Sequence, residues 1–295
     1  MSGDSLPVMR DVAISVPGGE INVWHRPADD HSETVVLVHG LTGNSRWFRR
    51  VIDRLPVRLG IVAVDVRGRG GSGSAPPPFD LVTLADDIAI CLDQLGVGKA
   101  TIVGYSMGAW ITAIFANRHP DRVTRLVLLD GGLSGPSEPE SDPDAIIAAM
   151  VGPSLARLDI SFDDEEAFFD YWKSHPALAA HWEEEMRAAL DHELLPAPAG
   201  MRVSVSPVAV RQAAHQITVD PETKDAGAEV TVPTLLIVVE RGTADQPGGM
   251  TSLQTAEAAA ARNPNLTIRY LEDLNHYTLV LGNGARKVAD TISGG

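Results

Sequence analysis

The sequence predicts an α/β protein: a mostly parallel, eight-stranded, doubly wound sheet with a helical cap inserted after its sixth strand. Three observations carry this. Short apolar runs at 34–38, 60–66, 100–103, 123–129 and 234–239 read as strands buried on both faces. Stretches of helical periodicity alternate with them, as crossovers between parallel strands require. Between 133 and 230 the alternation stops and proline and acidic residues abound, so this stretch reads as the helical cap and 1–132 with 231–295 as the core domain.

The elements follow in order. Residues 11–16 and 21–25 flank Pro17-Gly18-Gly19 and read as a hairpin forming the antiparallel edge. The strand at 34–38 ends in His39-Gly40-Leu41-Thr42-Gly43, a loop whose backbone N–H groups are able to turn toward a ligand. Residues 45–55 have helical periodicity, with Trp47, Phe48, Val51, Ile52 and Leu55 on one side. The strand at 60–66 runs into residues 67–73, which match Gly-x-Gly-x-x-Gly. A dinucleotide site needs a helix opening at the third glycine, and Pro76-Pro77-Pro78 follow instead, so none is expected.

Residues 81–95 are amphipathic, with Asp86-Asp87 read as a solvated face near the helix start. A helix at 107–118 stops at His119-Pro120, and the strand at 123–129 delivers Asp130 at its carboxyl end. In the cap, helices are expected at 143–150, 163–172, 177–190 and 208–216, and Phe162, Phe168, Phe169, Tyr171, Trp172 and Trp182 serve mostly to hold it together. The sheet resumes at 234–239. A helix at 255–261, a strand at 266–271, the loop Asn275-His276-Tyr277 and a last helix to Ile292 complete it.

Composition bounds the function. The chain has 39 acidic and 24 basic side chains, a formal charge of −15. A nucleic acid or an anionic membrane calls for a basic face, and neither is an expected partner. The single cysteine, Cys91, excludes an internal disulfide or a cysteine-based metal cluster, and its apolar helical setting makes it a small buried hydrophobe. Without a signal-like start or a run of about 18 apolar residues, the expected location is cytoplasmic.

The stretch that carries chemistry is Gly104-Tyr105-Ser106-Met107-Gly108, between an apolar run and a helix. A serine at such a turn takes a strained backbone, and the flanking glycines remove side chains that would collide with the neighbouring strand and helix. Its hydroxyl needs a base, a group orienting that base, and donors for an oxyanion.

With His39-Gly40-Leu41, Asp65-Val-Arg-Gly-Arg-Gly, Gly104 to Gly108, the insertion and the late histidine loop, the sequence resembles the α/β-hydrolase fold family over essentially the whole chain. The resemblance implies Ser106 as nucleophile, His276 as general base, His39 as a loop-shaping residue, and the backbone N–H groups of Leu41 and Met107 as the oxyanion hole. The acid departs from the commonest pattern, because Val239 and Gly242 stand where a Gly-x-x-Asp turn is usual. Three substitutes remain: Asp130 first, since some lactone hydrolases, haloalkane dehalogenases and cofactor-free dioxygenases of the family take the acid from the sixth strand, then Asp245, then Glu240.

The resulting expectation is a metal-free, cofactor-free serine hydrolase that cleaves a carboxylic ester or lactone of a medium-sized, largely apolar substrate through an acyl-enzyme on Ser106. Trp47, Tyr105, Trp172 and Trp182 are the candidates for substrate contact. A serine at position 106 argues against a dehalogenase or epoxide hydrolase. A carbon–carbon bond hydrolase or cofactor-free dioxygenase on the same triad, and more remotely a small-ligand receptor, stay open.

Overall fold

The computed structural model describes residues 8–29, 32–134, 145, 148, 152, 156–218 and 220–294. Eight strands form one sheet: β1 (Arg10–Val16), β2 (Gly19–Arg26), β3 (Thr34–Val38), β4 (Gly60–Val64), β5 (Ala100–Tyr105), β6 (Val123–Leu129), β9 (Thr234–Arg241) and β10 (Leu266–Asn275). Their order is β1-β2-β4-β3-β5-β6-β9-β10. The β1–β2 and β2–β4 pairs are antiparallel, and every later pair is parallel. Every residue of β3, β4 and β5 is buried, as expected of strands covered on both faces.

One face carries α2 (Leu81–Gln94), α3 (Met107–Arg118) and α7 (Leu253–Ala260); the other carries α1 (Arg49–Ile52) and α8 (Gly284–Ile292). In α2 the stripe Leu81, Leu84, Ala85, Ile88, Cys91 and Leu92 is buried at three- and four-residue spacing, and Asp80 caps the helix by accepting from the Thr83 N–H at 2.8 Å. Helix α3 is buried from Met107 through Ala116, which makes it the central helix under the nucleophile turn. Asp87 of α2 is not solvated. It is buried in a bidentate pair with Arg67, at 2.6 and 2.9 Å, because the turn after β4 lays that guanidinium across the helix. The Gly-rich stretch after β4 opens only a 3₁₀ turn, Gly70–Ser72.

The segment between β6 and β9 differs from an all-helical insertion. It contains α4 (Glu165–Ser174), α5 (Arg187–Leu190) and α6 (Pro207–Thr218), and also an antiparallel hairpin, β7 (Leu194–Ala197) with β8 (Gly200–Val203). The expected helix at 177–190 is broken into turns, a 3₁₀ turn at Glu184–Met186 and α5. The one at 143–150 lies, but for residues 145 and 148, outside the described residues. Hydrogen bonds of Gly70 N–H to the Ser204 carbonyl (3.1 Å) and Ser206 N–H to the Gly68 carbonyl (2.8 Å) fasten the segment to the loop after β4. No helix among the described residues is long and apolar enough to cross a membrane.

Candidate active site

Three side chains distant in sequence meet at the carboxyl edge of the sheet, where parallel strands deliver their loops. Ser106 joins β5 to α3 with φ 55° and ψ −124°, a backbone that L residues rarely adopt. The turn closes because a Cβ on Gly104 would stand 2.2 Å from the Gly108 carbonyl oxygen, and one on Gly108 would stand 2.0 Å from that of Val38. Ser106 N–H is tied to the Leu129 carbonyl at 2.9 Å, and the side chain is left 7% exposed.

His276 Nε2 lies 3.1 Å from Ser106 Oγ, and Nδ1 lies 2.7 Å from Asp130 Oδ2. A carboxylate accepts only, so Nδ1 carries the hydrogen and Nε2 is the bare acceptor facing the serine hydroxyl. Asp130 is fully buried just past β6 at φ 45°. Its oxygens also accept from the Met250 N–H (3.2 Å) and the Thr251 N–H (3.4 Å), so the loop after β9 supports the carboxylate with main-chain donors. Tyr105 stacks on the His276 ring, centroids 4.9 Å apart, and donates its hydroxyl to the His276 carbonyl at 3.0 Å.

The other two carboxylates are engaged elsewhere. Asp245 pairs with Arg241 Nε and accepts from Asn275 Nδ2, both at 2.9 Å; the Arg241 hydrogen bond chiefly holds its pKa below the ordinary value. Glu240 accepts from the Asp273 N–H at 2.9 Å.

The loop after β3 is built around a fully buried His39. Val66 N–H donates to its Nε2 at 3.1 Å, so its Nδ1 carries the hydrogen and donates to the Gly40 carbonyl at 2.8 Å. Burial lowers its pKa to about 4, against the opposing pull of Asp65, and the ring is neutral at pH 7. Arg69, also fully buried, donates to the carbonyls of Leu41 (3.1 Å), Arg67 (2.9 Å) and Ala209 (3.0 Å), and burial lowers its pKa to about 9.

A narrow pocket opens over Ser106 and His276. Trp47 and Tyr105 line it, together with Leu41, Thr42, Ile217, Thr243, Met250 and Tyr277. The structure places Trp172 and Trp182 off the wall. Trp172 stands edge-on behind Trp47 and Tyr277 at 6.1 and 5.6 Å, and Trp182 is half-buried with Lys173 over its ring at 6.0 Å. Their aromatic character alone marks them in the sequence, and packing within the segment explains it. Tyr277 was missed despite following His276 directly; Ile217, Thr243 and Met250 reach the pocket from distant loops and a helix face, and nothing local marks them. Among the described residues no group of three or more His, Cys, Asp or Glu is placed to hold a metal ion.

Residues 33–254 match the profile of the alpha/beta hydrolase fold. The 2-(acetamidomethylene)succinate hydrolase of Mesorhizobium japonicum is 28% identical over 244 residues, 82% of this chain and 81% of that protein. Ethanol acetyltransferase 1 of Kluyveromyces marxianus is 31% identical over 140 residues, 46% of this chain, which spans only 35% of that relative's length. The crystal structure of an E-2-(acetamidomethylene)succinate hydrolase superposes with a TM-score of 0.79 at 22% identity, covering 98% of this chain and 100% of the other. With the strand order, the serine turn after β5 and a profile match over most of its length, this chain belongs to the alpha/beta hydrolase fold family.

Proposed function

We propose that the protein is a serine hydrolase of carboxylic esters or lactones, with Ser106 as nucleophile, His276 as general base and Asp130 as the acid that orients it. The observation that carries this reading is the continuous contact from Asp130 Oδ2 through the His276 ring to Ser106 Oγ, at 2.7 and 3.1 Å.

Ser106 Oγ attacks the substrate carbonyl as its proton passes to His276 Nε2, and Asp130 stabilises the imidazolium that forms. Collapse expels the alkoxide, which takes that proton and leaves an acyl-enzyme on Ser106. Water, deprotonated by the same Nε2, then attacks the acyl carbon, and the proton returns to Oγ as the acid departs. The oxyanion is met by two main-chain donors. Met107 opens α3, where an N–H has no acceptor one turn earlier. The Leu41 N–H is aimed through His39: a trans peptide points its C=O and N–H in opposite directions, so fixing the Gly40 carbonyl on His39 fixes the Leu41 N–H. Gly40 lets that peptide approach, since a Cβ there would stand 3.1 Å from the Ser106 Cβ.

The test is base-consumption kinetics on short-chain esters, aromatic esters and lactones of increasing ring size. Turnover that falls by about 10⁴-fold or more in Ser106→Ala supports the reading. Absence of turnover across the panel by well-folded protein overturns it in favour of carbon–carbon hydrolysis or cofactor-free oxygenation, and oxygen uptake separates those two.

A further inference from the structure

We propose that the pocket selects substrates without a carboxylate, and that Glu193 sets this preference by neutralising Arg157 behind the pocket wall. The proposal rests on the hydrolase reading above and names the substrate class of that site.

Arg157 and Glu193 are each 1% exposed. Glu193 Oε2 is bound to Arg157 Nη1, and its Oε1 accepts from Trp47 Nε1 at 2.7 Å. The Arg157 guanidinium lies over the Trp172 ring, 4.8 Å from its centroid, and its Nη2 faces the Thr42 carbonyl at 3.5 Å. Trp47 and Thr42 are pocket wall, so the ion pair sits one layer behind the surface that substrate meets. An unpaired guanidinium there would attract an anionic substrate through a low-dielectric wall. With its charge already balanced by Glu193, it offers no such field.

The described wall of the pocket gives a carboxylate no alternative cation. The residues lining the pocket include no lysine or arginine. Arg69, a second buried cation beside the site, directs its nitrogens at three carbonyls rather than at a carboxylate, and its field is the same background in the wild type and in Glu193→Gln. The residues outside the described structure contain no lysine or arginine either. A carboxylate entering this pocket would lose its hydration without gaining a cation, against a net charge of −15. The relative of Mesorhizobium japonicum is named for a succinate, a dicarboxylate. That feature of its substrate is the one not expected here.

The experiment compares ethyl levulinate with monoethyl succinate, whose acyl chains have similar shape but differ by one negative charge. Wild-type kcat/KM is expected to favour the neutral ester by about 100-fold or more, the discrimination a desolvated, unpaired charge imposes. Glu193→Gln keeps an oxygen for Trp47 and unmasks Arg157. The ratio should then move toward the half-ester by about 10-fold, the order of attraction an uncompensated charge one layer behind the wall exerts at an effective dielectric constant near 20. If that variant does not fold, the double variant Arg157→Met/Glu193→Leu removes both charges and should retain the neutral preference; loss of that preference overturns the proposal. Equal use of the two esters by the wild type, or an unchanged ratio in a folded Glu193→Gln, also overturns it. Propylboronic acid and 2-carboxyethylboronic acid, which engage Ser106 without turnover, separate the two readings. Tighter binding of the neutral boronate with neither ester hydrolysed sinks the ester reading and keeps the preference, whereas equal binding sinks the preference.

Discussion

Asp130→Asn replaces an oxygen that accepts from His276 Nδ1 by a group that offers hydrogens of its own, driving the imidazole to the tautomer whose Nε2 is protonated toward Ser106. Steady-state kinetics should show kcat lowered by about 10³–10⁴ with KM little changed. Asp245→Asn keeps an acceptor for Asn275 and should retain activity within a factor of about 5. The reverse ranking would remove Asp130 from the triad. Tyr105→Phe leaves the stack on His276 but deprives its buried carbonyl of a donor, so kcat should fall about 10-fold without a matching rise in KM. His39 makes stability depend on pH. Its folded pKa of about 4 lies below the unfolded 6.5, so between those values the unfolded chain binds the extra proton and stability is lost as pH falls. The loss attributable to His39 is about 3 kcal/mol by pH 4. Urea melts should find it absent in His39→Gln, whose amide supplies both an acceptor and a donor. Ser106 and His276 were legible because a turn motif and a late loop mark them. The sequence ranks Asp130 ahead of Asp245 and Glu240, but only the sheet order β6-β9-β10 brings a carboxylate to the imidazole after β10.

The elements with strong periodicity were the readable ones. Strands β3 to β5 are short, wholly buried, mostly apolar runs and β6 ends in the buried apolar run Leu126–Leu129, and α2 announces itself by its stripe and its Asp80 cap. Asp80→Ala should cost about 1 kcal/mol, seen as a lower melting temperature with kcat unchanged, because the cap lies away from the site. Hairpin β7–β8 was hidden for a physical reason. Its strands are four residues each, half-exposed, with Pro196 in one and Gly200 in the other, so no alternating apolar face is present to be read. The helix expected at 177–190 failed similarly, its apolar positions being buried by tertiary contact without a continuous helix beneath them. Asp87 looked like a surface charge until Arg67 arrived from a turn twenty positions earlier. Asp87→Ala, which strands that buried guanidinium, should cost about 3–5 kcal/mol in a denaturation experiment.

For the whole molecule, the charge of −15 acts over distances that no single contact covers. Raising the ionic strength from about 0.01 to 0.15 M shortens the screening length from about 30 to 8 Å. The kcat/KM of an anionic half-ester should rise severalfold over that range while that of a neutral ester stays flat. A flat response for both would mean that the acidic groups do not govern approach to the pocket. The two apolar layers around the sheet could be read from sequence, because α2 on one face and α8 on the other each show a buried side, while α3 is apolar all round. The seating of the segment between β6 and β9 could not, because it depends on the meeting of Arg157, Glu193 and Trp47 across stretches up to 146 positions apart.

The loop after β9 reaches Asp130 through peptide groups: the N–H groups of Met250 and Thr251 donate to its carboxylate, while Met250 also lines the pocket. Any residue other than proline supplies the same N–H. On the proposed reading, the wall at Met250 is therefore free to be recut while the main-chain support of Asp130 stays in place, which makes this loop the natural ground for substrate range to diverge, by drift or by directed evolution.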